Sequence, residues 1–102
     1  MAVTVVLMRK DELFRYRLEE GHSVTFGSHK KDNVYVEGFS QSQIAIRYLP
    51  SGITLNAVKA YNCEMTDVPL DSMIILDKNE CTILYISSFS DRSEKKIRLE
   101  YG

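Results

Sequence analysis

The chain has 102 residues, of which 44% are hydrophobic and 26% charged, and its net charge at pH 7 is −1. These values fit one folded domain, residues 1–102, and they exclude a disordered chain. A charge close to zero gives no electrostatic reason to expect nucleic acid as a partner. No apolar run reaches the roughly 20 residues that span a membrane, and residues 1–12 lack the charge order of a signal peptide. We therefore expect no direct membrane insertion, and a cytoplasmic protein or the cytosolic part of a membrane protein.

Alternating apolar and polar residues predict short β-strands along the whole chain. The first two predicted strands form an N-terminal hairpin, because a short polar turn separates them. Gly21 and Pro50 mark later turns. The predicted strands are residues 3–8, 13–18, 23–26, 33–36, 43–48, 53–56, 61–65, 73–76, 81–86 and 95–101. This spacing predicts an all-β fold, a two-sheet antiparallel β-sandwich of about ten short strands.

Little in the chain indicates catalysis or metal binding. Cys63 and Cys81 are predicted to be reduced and buried rather than joined in a disulfide. Two cysteines and two histidines at unrelated spacings match no metal-ligand pattern, and neither a nucleophile motif nor a glycine-rich phosphate loop is present. We expect no cofactor, no metal and no enzymatic activity. A small enzyme or a sugar-binding β-sandwich stays open, and it would require carboxylates or aromatic rings gathered in one cleft.

The most informative pattern lies in residues 23–46. Gly27-Ser28 ends one predicted strand, Asp32-Asn33-Val34 begins the next, and residues 39–46, FSQSQIAI, lead from a polar loop into a third. This order resembles that of the forkhead-associated (FHA) domain, a module that binds phosphothreonine. Residues 52–55 and 70–76 are similar to later motifs of the same family. The resemblance implies an FHA-like β-sandwich with a ligand-binding edge formed by its loops.

The resemblance also shows which ligand groups have been replaced. Ser28 and Gln41 stand where the family has phosphate-binding arginines, and only Ser40 matches a ligand-contacting position. A charge-assisted hydrogen bond contributes about 1.5–3 kcal/mol, so each lost arginine contact weakens phosphopeptide binding by ~10- to 100-fold or more. We therefore expect a phospho-independent protein–protein interaction module. Its candidate partner-binding residues are Ser28, Lys30, Lys31, Ser40, Gln41 and Lys59. The alternative is a phosphothreonine-peptide-binding FHA domain that uses Ser40 with Lys30 and Lys31.

A subgroup of FHA-like modules lacks most phosphothreonine-binding residues. They occur in the N-terminal region of the FtsK/SpoIIIE-type ATPase of Gram-positive type VII secretion systems. This chain is similar to the first such module in its N-terminal strand, in the turn Leu18-Glu19-Glu20-Gly21 and in Asp32-Asn33-Val34. The resemblance implies a bacterial, cytoplasmic module for protein transport whose partner is another secretion-system component.

Overall fold

The computed structural model describes residues 1–89, which form nine strands and one short helix. The strands are β1 (Ala2–Arg9), β2 (Glu12–Glu19), β3 (Ser23–Gly27), β4 (Val34–Tyr35), β5 (Ile44–Leu49), β6 (Gly52–Ala57), β7 (Cys63–Met65), β8 (Met73–Asp77) and β9 (Thr82–Ser87). The helix α1 is Val58–Tyr61. The predicted all-β fold with two sheets is confirmed. The strand predicted at residues 95–101 lies outside the described residues.

The chain divides into two compact units, and each contains one sheet. The first unit comprises Met1–Leu18 and the described residues from Leu70 onward. Its sheet has the strand order β2-β1-β9-β8, with β9 antiparallel to both β1 and β8. Alternate residues of a strand point to the same face of a sheet. In this sheet one such face is apolar and buried. The buried apolar side chains are Val3, Val5, Leu7, Leu18, Leu84 and Ile86.

The second unit comprises Glu19–Pro69, and its sheet has the order β4-β3-β5-β6-β7. Its pairs are antiparallel except that β4 runs parallel to β3, which departs from the purely antiparallel prediction. The parallel pair forms because residues 28–33 loop back until the Val36 amide donates to the Gly27 carbonyl at 2.9 Å. The buried apolar side chains are Val24, Phe26, Val36, Phe39, Ile44, Ile46, Ile53, Leu55, Ala57 and Val68.

The connection between β6 and β7 differs from the prediction of a strand at residues 61–65. Tyr61 belongs to α1, and the strand begins only at Cys63. Asn62 ends the helix with φ 48° and donates its amide to the Val58 carbonyl. Asparagine tolerates this left-handed conformation better than most residues. A helix of four residues is too short to leave a periodic pattern in the sequence, so alternation alone predicted a longer strand.

The sequence-based expectation that both cysteines are buried was wrong. Cys81 is exposed and Cys63 is only half-buried, although both are free thiols as predicted. Strand β8 reads as wholly apolar in sequence, yet Met73 and Ile75 are 66% and 58% exposed. An apolar run is typical of a strand buried on both faces, and here β8 instead lies at the edge of its sheet.

Candidate functional site

Three loops of the second unit form the candidate site, which we call the three-loop surface. They are residues 28–33 between β3 and β4, residues 36–43 between β4 and β5, and residues 58–62 between β6 and β7. All six sequence-predicted partner-binding residues lie on these loops, and all six are exposed. They are Ser28, Lys30, Lys31, Ser40, Gln41 and Lys59.

The Asp32 carboxylate joins the first loop to the second. It accepts hydrogen bonds from the His29 amide at 3.0 Å, the Ser42 amide at 3.1 Å and the Ser42 hydroxyl at 2.8 Å. Partial burial alone would raise the pKa of Asp32, but the hydrogen bonds from Ser42, Thr25 and His29 outweigh it and lower that pKa. Asp32 therefore stays ionised at neutral pH and holds its own loop against the start of β5.

Gly27 allows the two loops to approach this closely. A side-chain carbon at this position would lie 2.5 Å from the Ser42 amide nitrogen and 2.7 Å from the Ser40 carbonyl oxygen, and it would collide with the Asp32 carboxylate. The first two atoms belong to the backbone, so they cannot move without displacing the loop. Glycine is needed at this position for close packing, and a positive φ is not the reason.

Three of the predicted partner-binding side chains, those of Ser28, Ser40 and Lys59, form hydrogen bonds within the surface. The Ser28 hydroxyl donates to the Phe39 carbonyl at 2.5 Å, which ties the first loop to the second. The Lys59 ammonium donates to the Gln41 carbonyl at 2.6 Å, which ties the third loop to the second. These hydrogen bonds hold the loops in one arrangement before any partner arrives.

Gln43 completes the connection between the second and third loops. Its side-chain carbonyl accepts the Ser40 amide at 2.9 Å and the Ser40 hydroxyl at 3.3 Å, and its amide group donates to the Tyr61 hydroxyl at 3.1 Å. The rings of Phe39 and Tyr61 meet edge to face with centroids 6.4 Å apart. This stacking and the Gln43 bonds fix α1 beside the buried end of the second loop.

The remaining predicted residues present polar groups to solvent. Lys30 and Lys31 extend from the first loop, where the Lys31 amide donates to the ring of His29 at 3.1 Å. The Gln41 side chain is exposed on the second loop. The surface therefore offers cations and an amide on a backbone whose shape is set by internal hydrogen bonds.

Sequence reasoning missed the residues that hold the loops together. Asp32 is a loop carboxylate in the sequence, and turn capping is the usual role of such a residue. That signal does not indicate the bonds of Asp32 to Ser42, which lies 10 residues later. Gln43, Phe39 and Tyr61 carry no comparable local signal. The partners of Gln43 lie as far as 18 residues away, and no local pattern indicates them.

No protein-family model, curated protein or solved structure matches the chain. Among residues 1–89, no helix is both long enough and apolar enough to cross a membrane. The same residues contain no group of three or more histidine, cysteine, aspartate or glutamate side chains that could hold a metal ion.

Replacing Gln43 with alanine is expected to loosen the second loop with a modest loss of stability. The change removes both acceptor bonds to Ser40 and the bond to Tyr61, which should lower the free energy of unfolding by about 1–2 kcal/mol. Hydrogen exchange at the Ser40 amide should become faster. Gln41→Ala is the control, because it leaves the backbone carbonyl that Lys59 contacts. Equal exchange rates at Ser40 in both variants would contradict this role of Gln43.

Proposed function

We propose that the chain is an FHA-like protein-interaction module that binds a protein partner through the three-loop surface without requiring phosphorylation. One observation carries the proposal: three of the six candidate partner-binding side chains already form hydrogen bonds that hold the loops together. Ser28 bonds to Phe39, Ser40 bonds to Gln43, and Lys59 bonds to Gln41. A phosphate could accept a hydrogen bond from the Ser28 or Ser40 hydroxyl only by breaking a contact that shapes the surface, because each hydroxyl has a single donor.

The charges on the surface support the same conclusion. A phosphothreonine carries about −1.5 to −2 charges at pH 7, and the planar fork of arginine matches a phosphate best. The expected arginine positions hold Ser28 and Gln41. Lys30 and Lys31 are exposed, and exposed ion pairs contribute only about 0–1 kcal/mol. That contribution is too small to replace two arginine contacts.

A phosphothreonine-binding FHA domain is the second candidate. The observation that favours it is the exposure of Ser40, Lys30 and Lys31. Exposed lysines could contact a phosphate without burying their own charge. In this case the lysines would supply the attraction and the Ser40 hydroxyl a single hydrogen bond. The bond from Ser40 to Gln43 would have to be exchanged for one to the ligand.

The cellular setting is proposed from the sequence resemblance. We infer a cytoplasmic bacterial module of a type VII secretion ATPase whose partner is another secretion-system component. The support is the likeness of layout described above, together with the replacement of both arginine positions. The preformed surface fits an assembly contact, since a rigid surface loses little conformational entropy on binding.

A titration followed by NMR tests the function. The chain would be titrated with a degenerate phosphothreonine peptide library and with the same library unphosphorylated. We expect no phosphate-dependent shifts at the Ser28 and Ser40 amides, which corresponds to dissociation constants of ~1 mM or weaker. Micromolar, phosphate-dependent shifts at these amides would contradict the proposal. If Ser40→Ala or Lys31→Ala then abolished them while Lys78→Ala, a change in the first unit, did not, the second candidate would be established.

A further inference from the structure

Strand β8 (Met73–Asp77) is an edge strand whose first four residues are all apolar. Within residues 1–89 it pairs only with β9, so its other side offers backbone groups that no described strand pairs with. Met73 and Ile75 are 66% and 58% exposed, and Ile74 and Leu76 are half-buried. An exposed apolar edge of this kind is a template for pairing with another strand.

The other described edge strands carry features that oppose such pairing. β2 has the charged residues Arg15 and Arg17 at alternate positions, β7 has Glu64 at its centre, and β4 has only two residues. Charged side chains and short length are common protections of a sheet edge. Among the edges of the two described sheets, β8 is therefore the best suited to accept an added strand.

An aspartate lies at each end of this edge. At one end Asp71 donates its amide to the Ile86 carbonyl at 2.7 Å, and at the other end Asp77 is paired with Thr82. Thr82 and Ile86 are four residues apart on β9, so the two aspartates lie roughly 13 Å apart along the strand direction. Two negative charges therefore frame the apolar edge.

Each of these carboxylates uses one oxygen within the chain. Oδ1 of Asp71 accepts the Ser88 amide at 3.0 Å, and Oδ1 of Asp77 accepts the Asn79 amide at 2.8 Å. The bond from the Ser88 amide lowers the pKa of Asp71, so this carboxylate is ionised at neutral pH. Within residues 1–89, no hydrogen bond or ion pair reaches Oδ2 of either aspartate. Both residues can thus accept a charge-assisted hydrogen bond from a basic side chain.

A second copy of β8 would not match these charges. If two such strands pair antiparallel about Ile74, Asp71 of each copy lies opposite Asp77 of the other, and like charges meet. If they pair about Ile75, Asp77 lies opposite Met73, and the carboxylate gains no positive partner. The charges at the ends of the edge therefore favour a different chain that carries basic residues.

We propose that β8 accepts an extended segment of a partner protein as an added strand. The segment has apolar residues at alternate positions, which pack beside Met73 and Ile75, and a basic residue at each end, which contacts Asp71 or Asp77. Main-chain hydrogen bonds supply the general affinity of such strand addition, and the side chains supply its selectivity. This binding edge lies in the first unit and is separate from the three-loop surface in the second.

The short edge predicts weak binding. A register shift between Ile75 and Asp77 leaves only Met73–Ile75 as regular edge, and one exposed ion pair changes an affinity by at most about fivefold. We therefore expect a dissociation constant on the order of 10⁻⁴ M for an isolated segment.

An NMR titration of the full chain with three blocked peptides, each up to about 1 mM, brackets this expected constant. The peptide KVTVTVK has the proposed pattern, EVTVTVE reverses the end charges, and KVTPTVK loses a central amide donor and cannot form a regular strand. We expect KVTVTVK to shift the β8 amides and to protect them from hydrogen exchange. The other two peptides should bind at least about threefold more weakly.

Two variants of the chain locate the binding site. Ile75→Lys should raise the dissociation constant for KVTVTVK about tenfold or more, because it places a charge on the apolar edge. Tyr35→Lys is its matched control, since it adds the same charge at a side chain that is 61% exposed in the second unit. Asp77→Asn keeps an oxygen for the Asn79 amide and should raise the constant about two- to fivefold.

Four outcomes would overturn the proposal. The first is the absence of shifts on β8 with KVTVTVK, and the second is equal binding of EVTVTVE. The third is protection of all β8 amides in the dilute chain without peptide, which would mean that the chain itself covers the edge. The fourth is protection that rises with chain concentration alone, which would assign the edge to a second copy. None of these outcomes bears on the phosphopeptide titration, because β8 and the three-loop surface share no residue.

Discussion

Gly27→Ala is expected to lower the free energy of unfolding by about 3 kcal/mol, the cost of forcing extra volume into a packed site. The added methyl group would meet the Ser42 amide nitrogen at 2.5 Å and the Ser40 carbonyl oxygen at 2.7 Å. Both atoms are backbone, so relief requires the second loop to move away from the first. That movement would also stretch the hydrogen bonds from Ser42 to Asp32. Urea unfolding followed by circular dichroism measures the change.

Gly21→Ala is the matched control for this prediction. Gly21 lies in the turn before β3 with φ +90°, and no heavy atom lies within 4 Å of the position that its Cβ would occupy. This variant suffers only backbone strain, which costs about 1–2 kcal/mol. NMR shifts should move at Ser40 and Ser42 in Gly27→Ala and stay unchanged there in Gly21→Ala. Equal stability losses with unchanged shifts at Ser42 would show that the loops are not held by close packing at Gly27.

Most of the secondary structure could be predicted because strand alternation is a local property of the sequence. Residues 43–48 show the pattern clearly: Ile44 and Ile46 are both fully buried, while Ala45 between them is half-buried and Arg47 after them is exposed. The short helix at Val58–Tyr61 and the parallel pairing of β4 could not be predicted in this way. Four residues do not establish a helical period, and the direction of pairing depends on how a loop folds back.

The location of the candidate site could be predicted, but its internal structure could not. All six residues predicted from the sequence lie in the loops that form the three-loop surface. Two of their hydrogen bonds, however, join residues 11 and 18 positions apart, from Ser28 to Phe39 and from Lys59 to Gln41. Such contacts depend on the register of β3, β5 and β6. The Ser28 hydroxyl, which the sequence predicts to bind a partner, is thus a donor that holds two loops together.

The half-buried face of the sheet β2-β1-β9-β8 could not be predicted for a different reason. Residues 3–8 and 81–86 are apolar on both sides of the strand, which in sequence indicates burial on both faces. The structure buries Leu7 and Leu84 on one side and leaves Met8 and Ile83 half-buried on the other. Sequence pattern reports which side chains favour burial. It does not report whether the cover comes from the same chain or from a second molecule.

Asp32→Asn is expected to destabilise the chain by about 2 kcal/mol at pH 7, since the half-buried amide group of asparagine would place a donor opposite the backbone amides that now donate to Asp32. The pH dependence identifies the cause. Hydrogen bonds lower the pKa of Asp32 in the folded chain below the value of about 3.9 for an unfolded aspartate. The carboxylate therefore contributes stability above pH ~4 that is lost as the pH falls through the folded pKa. The difference in the free energy of unfolding between the parent chain and the variant should shrink over the same pH range.

Urea unfolding at pH 7, 5, 4 and 3 measures this difference. Asp11→Asn is the control, because Asp11 lies in the exposed turn between β1 and β2, and its loss should leave stability almost unchanged at each pH. A difference for Asp32→Asn that stays constant from pH 7 to pH 3 would show that packing of the side chain, and not its charge, holds the loops. A difference that disappears with acid would establish the ionised Asp32 as the group that sets the shape of the three-loop surface. In that case acid alone should shift the Ser42 amide resonance of the parent chain and leave that of the variant in place.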